Sequence, residues 1–190
     1  LDGVVVTDEE LGERARAIRL LLTDSDGVLT DTGVYYSDKG EELKRFSIRD
    51  GMGVERLRKF AGVEVGIVTG ENSGPVARRA EKLHITELHL GIKDKMAVLR
   101  DVARRYTLDL NEIAYIGDDT NDIDVMRAVG LSACPADAVS QAQEVAAYTC
   151  PSRGGYGAFR DFAELIIAAK QSTTTAALPV GEPLGVRHNG

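Results

Sequence analysis

Short runs rich in Leu, Ile and Val recur along this chain, and between them lie longer stretches with apolar residues at helical spacing. That alternation is the signature of βαβ units, and it limits the fold to an α/β class built on a parallel sheet. The apolar runs predict strands over residues 18–23, 63–69, 87–90, 113–117, 131–134 and 147–150. The amphipathic stretches predict helices over residues 8–17, 52–60, 75–83, 93–106, 122–129, 136–144 and 156–170. A Rossmann-like sheet with helices on both faces follows. One segment departs from the rhythm. Residues 33–47 alternate on either side of Ser37-Asp38-Lys39-Gly40, a turn with glycine where positive φ is needed, so they predict a β-hairpin lying as a flap over the end of the first strand.

At 190 residues the chain fits one domain, expected over residues 1–170, followed by a Thr-, Pro- and Gly-rich low-complexity tail over residues 171–190. The formal charge of −7 disfavours binding to a phosphate backbone, and no apolar run is long enough to span a bilayer. Cys134 and Cys150 show no CxxC spacing, and His84, His89 and His188 show no zinc-site spacing. With no signal-peptide pattern in view, a reducing cytoplasm is the expected location.

The chemistry gathers at the ends of predicted strands. Asp24 and Asp26 stand two residues apart where the first strand ends, and desolvated like charges there call for a divalent cation. A second strand ends in Thr69-Gly70, and Lys95 opens a later helix. A third strand runs into Gly117-Asp118-Asp119 with Asp122 beyond, one acid more than helix capping explains. In open α/β sheets, ligands bind at these carboxyl ends.

Taken in order, Asp24-x-Asp26, Thr69, Lys95 and Gly117-Asp118-Asp119 resemble the four motifs of the haloacid dehalogenase superfamily of phosphohydrolases. The resemblance implies Asp24 as the nucleophile that forms an aspartyl phosphate and Asp26 as general acid and base. It implies Mg²⁺ held by Asp24, the Asp26 main-chain carbonyl and Asp118, with Asp119 and Asp122 supporting them. Thr69, Gly70 and Lys95 would then face the phosphoryl oxygens. Receiver domains of two-component systems share the acids, Thr and Lys, but they leave the late acidic cluster unexplained.

Gly40-Glu41-Glu42-Leu43-Lys44, Arg49-Asp50-Gly51 and Gly154-Gly155-Tyr156-Gly157 are similar to the branch acting on phosphorylated 3-deoxy-2-ulosonic acids, over about residues 8–170. The intervals between the first three motifs are too short for a cap domain, which also argues against a phosphomutase. The hairpin and the Gly154-Gly155 segment are expected to shield the open site. The resemblance and the hairpin's Val34, Tyr35, Tyr36 and Phe46 imply a homotetramer. Glu71, with Arg79 and Lys82, is more like the nine-carbon, sialic-acid-like nononate 9-phosphate phosphatases; the eight-carbon octulosonate 8-phosphate phosphatases tend to carry arginine at that point. The alternatives are therefore an octulosonate 8-phosphate phosphatase or a non-catalytic module associated with a sugar-acid cytidylyltransferase.

Overall fold

The computed structural model describes residues 6–175. Its centre is a six-stranded, all-parallel sheet: β1 (Leu20–Thr23), β4 (Glu64–Val68), β5 (Glu87–His89), β6 (Ile113–Ile116), β7 (Leu131–Cys134) and β8 (Tyr148–Thr149), in the order β5-β4-β1-β6-β7-β8. Each predicted strand is present. The antiparallel hairpin is present too, as β2 (Thr30–Ser37) and β3 (Gly40–Phe46), with Ser37 opposite Gly40. It forms a separate two-stranded sheet, and β1 to β4 is therefore an unusually long connection.

Side-chain alternation along the buried strands feeds two cores. Leu21, Ala114 and Ile116 pack with α1 (Asp8–Ala17), α2 (Ile48–Ala61), α3 (Gly74–Lys82) and α7 (Ala158–Thr175), whereas Leu20, Leu22, Ile113 and Tyr115 pack with α4 (Lys95–Tyr106), α5 (Ile123–Ala128) and α6 (Ser140–Val145). Strands buried on both faces need covering helices on both, which is the expected three-layer form. On α7, Phe159, Phe162, Ala163, Ile166 and Ile167 are buried at i, i+3, i+4, i+7, i+8 spacing. Each large apolar side chain so buried contributes roughly 1.5–3 kcal/mol.

Three helix boundaries differ from expectation by four residues or more; one is the start of α6, at Ser140 rather than residue 136, because Pro135 opens a turn there, its carbonyl accepting from the Ala138 amide. α2 begins at Ile48 rather than residue 52, because Ser47 caps it, accepting from the amides of Arg49 and Asp50. The glycines that argue against helix there serve packing instead: a Cβ on Gly53 would crowd the Phe159 ring and the Arg160 backbone on α7. α7 runs to Thr175, so the span read as tail begins as helix, and residues 176–190 lie outside the described residues.

Candidate active site

Three strand ends build the site floor. Asp24 continues the β1–β6 ladder, its amide donating to the Ile116 carbonyl at 3.0 Å; Thr69 leaves β4 and Asp118 leaves β6. The chain passes outward from β1 to β4 and β5, then returns to β6 on the other side of β1, which opens a crevice there. In it lies a cavity of ≈ 270 Å³ lined by Asp24, Asp26, Thr32, Thr69, Gly70, Glu71, Asp118, Asp119, Thr120 and Asn121. The predicted nucleophile, acid, threonine and metal-binding acid thus converge on one cavity.

Beneath it, Lys95 Nζ donates to Asp24 Oδ2 at 2.7 Å and to Asp122 Oδ1 at 2.6 Å. Asp122 is wholly buried and fully engaged. Its Oδ1 also accepts from the Tyr115 hydroxyl, and its Oδ2 accepts from the amides of Asp118 and Asp119 at 3.1 and 3.3 Å. Carboxylate oxygens of Asp24, Asp118 and Asp122 can all lie within 4.8 Å of one another. Asp122 is engaged in holding Lys95 and the β6–α5 turn, which leaves Asp24 and Asp118 as the acids of this group that could hold a metal. Asp119 is exposed and caps that same turn, accepting from the Thr120 amide.

Electrostatics single out the same pair. Burial, then repulsion from Asp122, pushes Asp24 up to about 7 against the pull of Lys95. Burial, then Asp24 and Asp122, pushes Asp118 up to about 8. Burial lowers the proton affinity of Lys95, but its two carboxylates outweigh that and leave it raised. With all three acids ionised, one ammonium leaves two negative charges uncompensated, which fits a divalent cation bound by hard oxygen donors. Gly27 makes the approach possible: it has φ 84°, and a Cβ there would overlap the Asp118 carboxylate.

The hairpin reaches the site as expected, through residues the motifs do not mark. Lys44, on β3 and with a fully buried side chain, grips both Asp26 oxygens at 2.7 and 2.8 Å, and it pairs with Glu41 at 3.1 Å. The hydroxyl of Thr30 donates to Asp26 at 3.3 Å, and Thr32, at φ 64°, lines the cavity. The only sequence signal for Lys44 is its place in the Gly40-to-Lys44 stretch. Gly154-Gly155 serves as a brace rather than a cavity wall: the Gly155 amide donates to Val28 and the Gly154 amide to Asp137. Within this chain Arg79 and Lys82 are not brought to the cavity. Arg79 donates to the Ser47 carbonyl and stacks over Phe46, and Lys82 is exposed at the end of α3. Glu71 does line it.

The family model of haloacid dehalogenase-like hydrolases matches residues 79–157. The 3-deoxy-D-manno-octulosonate 8-phosphate phosphatase of Yersinia pestis is 38% identical over 162 residues, covering 85% of this chain and 86% of that protein. The chain belongs to the haloacid dehalogenase-like phosphatases. The Escherichia coli octulosonate phosphatase is 39% identical over 157 residues, 83% of each chain. The Moraxella catarrhalis enzyme of that name, solved with magnesium, phosphate and a KDO molecule, superposes with a TM-score of 0.84 at 32% identity, over 90% of this chain and 97% of its own. Membership makes the chain a phosphoric monoester hydrolase and sets aside the non-catalytic reading. Phosphatases of this family use Mg²⁺, which the donor set here fits. Among the described residues no helix is long and apolar enough to cross a membrane.

Proposed function

We propose that this phosphatase removes the terminal phosphate of a 3-deoxy-2-ulosonic acid, the class to which 3-deoxy-D-manno-octulosonate 8-phosphate belongs. The observation that carries the reading is the buried Lys95, which joins Asp24 to Asp122 under a cavity walled by Asp26, Thr69 and Asp118. The relatives' shared activity supports the sugar-acid class.

Asp24 attacks phosphorus in line, forming an O–P bond as the ester P–O bond breaks. Asp26 gives its proton to the leaving alkoxide. It then takes one from the water that attacks the aspartyl phosphate, releasing inorganic phosphate and restoring Asp24. Lys95 fixes the Asp24 carboxylate, and Thr69 with the Gly70 amide offers donors to the phosphoryl oxygens. Asp24, Asp118 and the Asp26 main-chain carbonyl would hold Mg²⁺, which when bound offsets charge on those oxygens.

Chain length of the sugar turns on Glu71. A carboxylate at the mouth accepts hydrogen bonds from sugar hydroxyls and repels a substrate carboxylate, which favours the longer nine-carbon 9-phosphate as the second reading. Arg79 and Lys82, which do not line the cavity, then act only across a subunit boundary. The proposed assembly is a homotetramer built on the hairpin, whose Tyr35, Tyr36 and Leu43 are 65%, 70% and 64% exposed. A reducing cytoplasm accords with the two free buried cysteines.

The test is kcat/KM for both ulosonate phosphates on the wild type and on Glu71→Arg. Preference for the nine-carbon ester, lost in the variant, supports the Glu71 reading. A wild type that favours the octulosonate ester leaves the class intact and removes that reading. Failure on both esters removes the class.

A further inference from the structure

The haloacid dehalogenase motifs account for Asp24, Asp26, Thr69, Lys95 and Asp118, but not for the buried cation on the hairpin. We propose that Lys44 is a positioning residue for Asp26, holding its carboxylate toward the water that hydrolyses the aspartyl phosphate. The inference rests on the role of Asp26 given above. Its test uses an aryl ester, so it does not depend on the sugar.

Lys44 is built into place. Its side chain is fully buried; its Nζ bonds both oxygens of Asp26, which fixes the plane of the carboxylate and not only its distance. A third contact, to Glu41, anchors the ammonium, and Glu41 in turn accepts from the hydroxyl of Ser73. Ser73 caps α3, which follows the Thr69-Gly70-Glu71 wall of the cavity. The chain Asp26–Lys44–Glu41–Ser73 therefore ties the loop after β1 to the loop after β4 by way of the hairpin. A surface lysine making a casual pair would be solvated and single-contact. The Asp26 side chain is still 26% exposed.

Hydrolysis of the intermediate is the step that needs this hold. The water oxygen forms a bond to phosphorus, the P–O bond to Asp24 breaks, and the departing water proton passes to Asp26. A carboxylate free to rotate meets that water less often, so the aspartyl phosphate persists.

p-Nitrophenyl phosphate isolates the step, because nitrophenolate leaves without a proton from Asp26. For Lys44→Met with Mg²⁺, kcat should fall about tenfold or more while kcat/KM falls far less. A burst of nitrophenolate and acid-quenched phosphoenzyme should appear, and Lys44→Arg should recover part of kcat. Partial unfolding cannot mimic this, since it lowers kcat and kcat/KM together. Asp26→Asn should show the same burst, and adding Lys44→Met to it should cost little more. Proportional loss of both constants without phosphoenzyme in Lys44→Met overturns the proposal, as does a fully additive double variant. Absence of a burst in Asp26→Asn overturns the Asp26 role and this inference together. A burst there but not in Lys44→Met removes Lys44 alone.

Discussion

Asp24 and Asp118 share a cost of burial and mutual repulsion that either a proton or a bound cation relieves. Asp24→Asn keeps the shape, leaves one oxygen for only one of the two donors that now bond separate oxygens, the Ser25 amide and Lys95, and removes the attacking charge; phosphatase turnover should drop roughly 10⁴-fold with the fold retained. A folded variant keeping a tenth of wild-type turnover rules Asp24 out as nucleophile. A second prediction concerns protons. Without metal the two carboxyls titrate at about 7 and about 8, so each holds a proton well above the usual carboxylate range. Mg²⁺ must displace those protons, so its affinity should weaken as pH falls from 9 to 6, and calorimetry near pH 7 in buffers of different ionisation enthalpy should show proton release. Affinity independent of pH over that range would contradict the shifts. Asp118→Ala should weaken Mg²⁺ binding at every pH and depress turnover with it.

Among the elements, the edge strand β5 has only three residues and needs an anchor beyond its ladder. Glu87 provides it. Arg105 grips both its oxygens, and Tyr106 and His89 add further bonds, so the end of α4 is tied to the sheet edge. Burial opposes ionisation of Glu87, but the bonds from Arg105, His89 and Tyr106 outweigh it and hold the carboxyl down at about 2. Glu87→Ala should cost about 1–2 kcal/mol, discounted because Arg105 is partly exposed, as read from urea unfolding at neutral pH. The cap of α2 offers a parallel case: Ser47→Ala should cost about 1 kcal/mol and shift the helix start, which adjoins the hairpin's last strand. Gly51 and Gly53 are weak helix formers by propensity, whereas their packing against α3 and α7 is a long-range fact.

Across the whole molecule, the acid cluster makes stability depend on pH and metal together. A carboxyl whose folded pKa is raised stabilises the fold while protonated, and that contribution drains away as pH climbs from the unfolded value of 3.8 through the folded values of about 7 and about 8. Metal-free protein should therefore melt at lower temperature at pH 9 than at pH 6. Saturating Mg²⁺ should raise Tm most at the higher pH; an equal rise at both would count against the cluster as the source. Assembly is the other molecular property. Tyr35→Glu with Leu43→Glu, cross-strand partners that are both exposed, places charge on one hairpin face and should shift sedimentation from the proposed tetramer to smaller species. A wild type that sediments as a monomer at micromolar concentration would remove the tetramer.

Local pattern was enough for much of this protein. Strand alternation and helical spacing are properties of neighbouring residues, so the sheet, the hairpin and the placement of Asp24, Thr69 and Asp118 at strand ends could be read from the chain alone. The ordering of those residues along the sequence then pointed to one carboxyl-edge site, since parallel strands deliver their ends to the same edge. What the chain could not show was how the acids divide their work. Asp122 is engaged by Tyr115 and Lys95, and Asp26 is held by Lys44 from eighteen residues away; both are decided by packing between elements. The same holds for Arg79, which has the charge to receive a substrate carboxylate but whose guanidinium is bound to the Ser47 carbonyl in the folded chain. Charge and spacing establish which residues can do chemistry; burial and partner geometry, which arise only when distant segments meet, decide which of them remain free to do it.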